Sequence, residues 1–165
     1  MKRNTLILGT LFGLAMGMVG RPVQATSWVD YSPNGGEVEV ISNNPDDNTL
    51  LRQVTVTCPA RGHLIATASG NFTLDVSAEI DASIAVASIA VDDPPPTFND
   101  VGSRHYVGAF DITAGMFESA SLQRTQTCSE GQTRSFRFVA WKVYDNTSVS
   151  VSNPILVVEF FNTRI

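Results

Sequence analysis

The chain has 165 residues with 11 basic and 16 acidic side chains, a formal net charge of −5 at pH 7. Such an acidic balance repels phosphate backbones and anionic lipid head groups, which argues against nucleic-acid partners and against adsorption to anionic membranes. Only two cysteines and two histidines are present, too few for most metal or thiol chemistry.

Residues 1–25 read as a cleavable secretory signal. Lys2 and Arg3 precede an uncharged, mostly apolar run from Thr5 to Gly20, and Val23-Gln24-Ala25 sets small residues three and one before a cut. The run is shorter than the roughly 20 apolar residues that span a bilayer, so no membrane span is expected in the mature chain. Residues 26–165 remain as one domain, long enough to bury a real core, in a secreted or periplasmic location. Lys2, Arg3 and Arg21 leave with the signal, so eight basic residues then face 16 acidic ones and the net charge becomes −8.

Along the mature chain the pattern is period two. Strands are predicted at Glu37 to Ser42, Leu51 to Cys58 and His63 to Ser69, each rich in β-branched residues and bounded by turn formers. From Phe72 to Val86 the even positions are apolar while Thr73, Asp75, Ser77, Glu79, Asp81 and Ser83 make a wet face. The run exceeds a typical strand, which predicts a break between Ser77 and Ser83 or at the phase slip of Ala85 to Ser88, where a bulge or tight turn is expected near Ala87. Further strands are predicted at His105 to Thr113, Ala120 to Cys128, Thr133 to Tyr144, Ser148 to Val151 and Ile155 to Phe161. Ala114 to Ser121 has room for one helical turn. Ser32 to Gly36, Asn43 to Asn48 and Asp92 to Arg104 are loops, the last stiffened by three consecutive prolines.

About nine strands without a convincing helix predict an all-β fold, an antiparallel β-sandwich that is jelly-roll-like or a Greek key. An immunoglobulin-like sandwich is the alternative, but that fold expects a Tyr two residues before its second cysteine and a Trp between the pair. Here Gln126 precedes Cys128 by two, and Trp141 follows it. Cys58 and Cys128 are expected to form one disulfide, with Val54, Val56 and Cys58 on one strand face, Pro59 ending the ladder and His63 opening the next strand. Both cysteines lie at predicted strand ends, where a bridge staples the rim of the sandwich.

The stretches CPARGHLIATASG, YVGAFDITAG and PILVVEFF resemble those of uncharacterised secreted bacterial proteins in which a CPA-x-G turn opens a sandwich and F-x-x-x-x-G precedes a later strand. The resemblance covers most of the mature chain and implies a fold without an activity. A looser likeness to jelly rolls of the complement and tumour-necrosis-factor type would, by analogy of architecture, imply trimers.

No enzyme is indicated. Asp100, Ser103 and His105 are close in sequence, but catalytic triads are assembled across a fold and no nucleophile elbow is present. His63 shares a strand face with Ile65, Thr67 and Ser69 and is expected half exposed. Asp46, Asp47, Asp92 and Asp93 are oxygen donors of the kind calcium takes, without the alternating register of a dedicated loop, so neither metal nor cofactor is expected. Trp28, Tyr31, Trp141 and Tyr144 are the polar-tipped aromatics that a glycan platform would use. Asn71-Phe72-Thr73 and Asn146-Thr147-Ser148 fit the N-glycosylation acceptor pattern. Finally, SIAVASIAV (Ser83 to Val91) and ILVVEFF carry almost no charge, a profile of segments that pair edge to edge, with Asp81, Asp92 and Asp93 as gatekeepers of the first. The function expected is binding or self-assembly outside the cell or at its envelope, with a glycan or envelope component, or a second copy, as partner. A carbohydrate-binding or calcium-dependent lectin-like module is the alternative and a secreted hydrolase the lesser one.

Overall fold

The computed structural model describes residues 26–31, 36–75, 80–92, 103–112, 115–144 and 148–162. They form nine strands: β1 (Thr26–Tyr31), β2 (Glu37–Glu39), β3 (Thr49–Thr57), β4 (Gly62–Asp75), β5 (Ile80–Val91), β6 (Arg104–Ile112), β7 (Met116–Cys128), β8 (Thr133–Lys142) and β9 (Ser148–Asn162). One short 3-10 turn, Pro45–Asp47, interrupts them. The turn forms because the Asn44 side chain accepts from the Asp46 amide at 2.9 Å and Pro45 presets the first dihedral angle.

Two antiparallel sheets result. Sheet A runs β1-β9-β4-β7, with β2 also paired to β9, and sheet B runs β3-β8-β5-β6. Taken with β1 and β2 as one interrupted first strand, each sheet has four positions, and every connection except β1–β2 and β5–β6 crosses to the other sheet. This is a jelly-roll-like sandwich and not the immunoglobulin arrangement.

The core lies between the sheets. Leu64, Ala66, Ala68, Phe72 and Leu74 of β4, Val149, Val151, Leu156, Val158 and Phe160 of β9, and Val54, Val56, Ala85, Ala87, Ile89, Phe136 and Phe138 of sheet B are all buried there. Strict alternation on β4 and β9 puts His63, Thr67, Ser69 and Val157 on the opposite, outward face. His63 is half-buried, as the alternation predicts.

Several predicted boundaries are corrected. The strand expected to end at Ser69 continues through Gly70 and Asn71 to Asp75, because Gly70 fits where β9 bulges. There the register shifts between Ser69 and Asn71, with Asn153 at φ 52°. A Cβ on Gly70 would stand 2.8 Å from the Val151 Cγ1. The same bulge joins the two predicted C-terminal strands into β9 across Pro154. No helical turn forms in Met116–Ser121, which is strand. No bulge occurs at Ala87 either: β5 keeps one register with β8 from Ala85 to Val91. The slip has another cause, since Ala85 through Val91 are buried on both faces, and a strand covered on two sides loses its alternation.

SIAVASIAV and ILVVEFF are also placed differently from edges. β5 lies between β8 and β6 and is paired on both sides over residues 85–88, with residues 89–91 paired to β8 alone, and β9 lies between β4 and the β1/β2 pair, so neither apolar segment is an edge strand.

Candidate functional site

With β5 and β9 both internal to their sheets, the surfaces open to a partner are the two outward faces and the rims. On sheet A, two neighbouring cross-strand rows carry no charge. One row is Val29, Val157, Thr67 and Gln123, and the next is Tyr31, Ile155, Ser69 and Ser121. The rows span β1, β9, β4 and β7. Charge returns only in the flanking rows, with Glu159 beside Ile65 on one side and Glu37 beside Ser152 on the other. Val29 is 52% exposed and Tyr31 58%, so these are solvent-facing apolar groups on an uncharged field. Two rows further along β7 stands Phe117, 80% exposed, paired to Thr73.

Sheet B has an outward face of a different kind. Val86, Val139 and Trp141 form a small apolar cluster there, separate from the main core and almost fully buried. Val86 is paired with Trp141 on β8 and with Tyr106 on β6. The segment after β2 is held beside β8, where the Lys142 amide donates to the Ser42 carbonyl at 2.8 Å. Pro45 then stands against the Trp141 side of the sheet, and a cleft of about 290 Å³ opens between it, Trp141, Val86 and Tyr106, with Arg104 and Lys142 also on its walls.

The rims are stapled. Cys58, just past β3, is bonded to Cys128 at the end of β7, with their Cα atoms 6.3 Å apart. The turn after Cys128 is tied to the same corner: the Cys58 amide donates to the Gln132 carbonyl at 2.9 Å, and the Gly131 amide donates to the Cys58 carbonyl at 2.8 Å. Gly131 has φ 75°, a left-handed position that suits glycine. On the β3 side, Asp30 of β1 accepts from the Gln53 amide at 3.0 Å, giving an edge amide a partner from the other sheet. On the opposite side, His105 Nε2 of β6 faces Glu118 Oε1 of β7 at 3.7 Å. Beyond the end of β6 the exposed edge of β5 is covered by Arg124, which donates to the Ile89 carbonyl at 2.8 Å.

The aromatics singled out from sequence do not meet. Trp28 packs against the main core, while Tyr31 lies on the outward face of sheet A. Trp141, near the end of β8 in the other sheet, is only 4% exposed, and Tyr144, just past that end, is 43% exposed. Trp141 therefore has no open ring face. Asp46 and Asp47 are exposed on the 3-10 turn, where their amides donate to Asn44. Asp92, at φ 66°, pairs with Arg134, accepts from the Ser135 amide at 3.3 Å, and offers its carbonyl to Arg137 at 2.6 Å. Asp93, Asp100 and Asn146 lie outside the described residues. Among the described residues no group of three or more His, Cys, Asp or Glu is placed to hold a metal ion. Ser103 accepts from the Ile89 amide at 3.4 Å, and its carbonyl takes the Ser88 hydroxyl. The sequon residue Asn71 is exposed on β4, with its side chain accepting from Ser119 at 2.7 Å.

Phe117 and Tyr106 were the residues that sequence reasoning missed. Phe117 shares the phase of Ser119, Ser121 and Gln123, an aromatic on the wet side of its strand. Tyr106 is paired with Val86 of β5, and the two-sided apolar runs of β5 and β8 were the signal of an apolar outward face beside it.

No family model matches the sequence, and no curated protein matches it. Among solved structures, 85% of the chain aligns with a CocE/NonD family hydrolase from Staphylococcus aureus at 8% identity and TM-score 0.48, spanning 37% of that chain. The C-terminal domain of EclA, a sugar-binding protein, aligns over 84% of this chain and 86% of its own at 14% identity and TM-score 0.41. The tumour necrosis factor Eiger from S. frugiperda aligns over 88% and 96% at 14% identity and TM-score 0.41. These likenesses decide nothing about activity. The fold rests on the strand order of the chain itself. No helix among the described residues is long and apolar enough to cross a membrane.

Proposed function

We propose that the protein is exported and acts without catalysis, by self-assembly through the outward face of sheet A. The observation that carries this reading is the pair of uncharged cross-strand rows that include Val29, Tyr31 and Ile155. In a mature chain of net charge −8, a solvated face four strands wide is expected to carry acidic groups. Depletion of charge at the centre with charged residues at the margin is instead the composition of a protein–protein interface. Glu159, Glu37 and Glu39 supply that margin. A second copy of the chain is the partner whose surface matches, since an uncharged, hydroxyl-rich field is self-complementary in a way that a strongly acidic one is not. The disulfide, a feature of oxidising compartments, supports an exported site of action.

Light scattering on the mature protein at micromolar concentration tests this. The wild type is expected to form a discrete oligomer, and the double variant Val29→Glu, Tyr31→Glu to run as a folded monomer, because both side chains are more than half exposed and can be changed without disturbing the core. A wild type that is strictly monomeric, or a double variant that still assembles, overturns the reading.

A further inference from the structure

β7 closes one side of sheet A, and among the described residues no backbone bond from Met116 to Thr127 reaches any strand but β4. We propose that this edge pairs with β7 of a second copy, antiparallel about a two-fold axis at Ser121, and so joins face-paired dimers into a tetramer. The edge pairing rests on the self-assembly through sheet A proposed above and adds a second interface to it.

In an edge strand every second residue turns its N–H and C=O away from the sheet, and natural sheets blunt such rows with short strands, lysine, proline or bulges. The edges on the opposite side of the sandwich are blunted in this way. β1 has six residues and β2 three, and β3 carries a register shift between Leu50 and Arg52, with Asp30 on its Gln53 amide. β7 has 13 residues with no lysine, proline or glycine, and it keeps one register with β4 from Met116 to Cys128. A straight, unblunted edge of that length is a template for a further strand.

The occupant follows from symmetry. An axis at Ser121 sets Phe117 opposite Thr125 of the second copy, Ser119 opposite Gln123, and Glu118 opposite Arg124. Aromatic and β-branched side chains pair favourably across strands, so Phe117, 80% exposed beside Thr73, gains cover on its open side. Glu118 and Arg124 are the charged residues of β7 and flank Ser121 symmetrically, so this axis opposes unlike charges where an axis at either of them would oppose like ones. Each keeps its own contact on the inward side, Glu118 facing His105 at 3.7 Å and Arg124 donating to the Ile89 carbonyl at 2.8 Å; the register requires only that they do not repel. The same axis runs the uncharged row Tyr31, Ile155, Ser69 and Ser121 straight into the identical row of the second copy, which widens the proposed assembly face. A peptide of arbitrary sequence would meet the backbone groups alone. One strand pair is marginal in water, but a face-paired dimer presents two such edges, and the second pairing is then intramolecular.

Light scattering on the mature protein, with circular dichroism as the check of folding, tests this. The wild type is expected as a tetramer. Phe117 and Thr125 are exposed and lie outside the two uncharged rows, so they can be changed without touching the sheet A face. Phe117→Glu, Thr125→Glu sets glutamates opposite each other twice per edge and should stop assembly at the dimer, with tetramer formation weakened by about tenfold or more. Phe117→Lys, Thr125→Lys should do the same, and a 1:1 mixture of the two variants should return the tetramer, because each glutamate then meets a lysine. A glutamate variant that stays tetrameric, a mixture that stays dimeric, or a wild type that is itself only a dimer overturns the edge pairing. The face variant Val29→Glu, Tyr31→Glu separates the two interfaces: if it runs as a dimer that the added Phe117→Glu, Thr125→Glu pair dissociates, the edge pairing stands and the face reading falls. If the charged variants do not fold, Phe117→Cys and Thr125→Cys chains should form a disulfide-linked dimer when oxidised together and not when oxidised apart. Any other pattern of cross-linking overturns the proposal by that route.

Discussion

Cys58 and Cys128 join the two sheets at one corner: the first stands just past the end of β3 in sheet B, the second closes β7 in sheet A, and their Cα atoms are 6.3 Å apart. The bridge closes a loop of 70 residues that contains β4, β5, β6 and β7, so it ties the centre of the chain between strands of different sheets. Chain entropy gives such a loop about 4 kcal/mol of stabilisation. The variant Cys58→Ser, Cys128→Ser should therefore unfold roughly 10 °C below the wild type by calorimetry. A drop of only a degree or two would show that the corner is held by its backbone bonds to Gly131 and Gln132 alone. Denatured, unreduced wild type should show no reactive thiol, since the described residues contain no free cysteine.

Gly62 is the tightest position next to that corner. It pairs with both Cys128 and Asn162, and a Cβ there would stand 2.6 Å from the Phe160 Cε2 and against the Phe161 carbonyl. The ring is buried and the carbonyl belongs to the ladder, so neither can withdraw cheaply. Gly62→Ala should cost about 2 kcal/mol or more, read as a shift in the urea midpoint. Gly131→Ala has open space but a left-handed backbone, and should cost about 1 kcal/mol.

Ser83 is fully buried on β5, and its hydroxyl has no hydrogen-bond partner among the described residues. A buried hydroxyl without a partner costs on the order of 1 kcal/mol or more. Ser83→Ala removes the group and leaves little space, so the variant should be more stable than the wild type by about 1 kcal/mol in chemical denaturation. A loss of stability of the same size would show that the hydroxyl is satisfied after all.

How far the sequence could be read depended on which faces of each strand are covered. On β4 and β9 one face is wet, and alternation alone located the core side, the half-exposed His63 and the corner at Cys58. On β5 and β8 both faces are covered, and the same method misread two-sided burial at Ala85 to Val91 as a bulge. At Gly70 and Pro154 it saw breaks, because a glycine and a proline ordinarily end strands. The bulge at Asn153 accommodates both inside one ladder, and no local pattern records which residue of a distant strand a glycine will oppose.

By itself the sequence determined that this is an all-β chain of net acidic charge with one corner disulfide, because period-two alternation, turn residues and cysteine placement are local properties. Only the tertiary structure decided which strands are edges and which outward faces are apolar. SIAVASIAV became a central strand, Phe117 and Tyr106 became exposed, Trp141 became covered, and the uncharged rows of sheet A lined up across β1, β9, β4 and β7. Those outcomes depend on strand order and register, which are set by contacts between residues far apart in the chain.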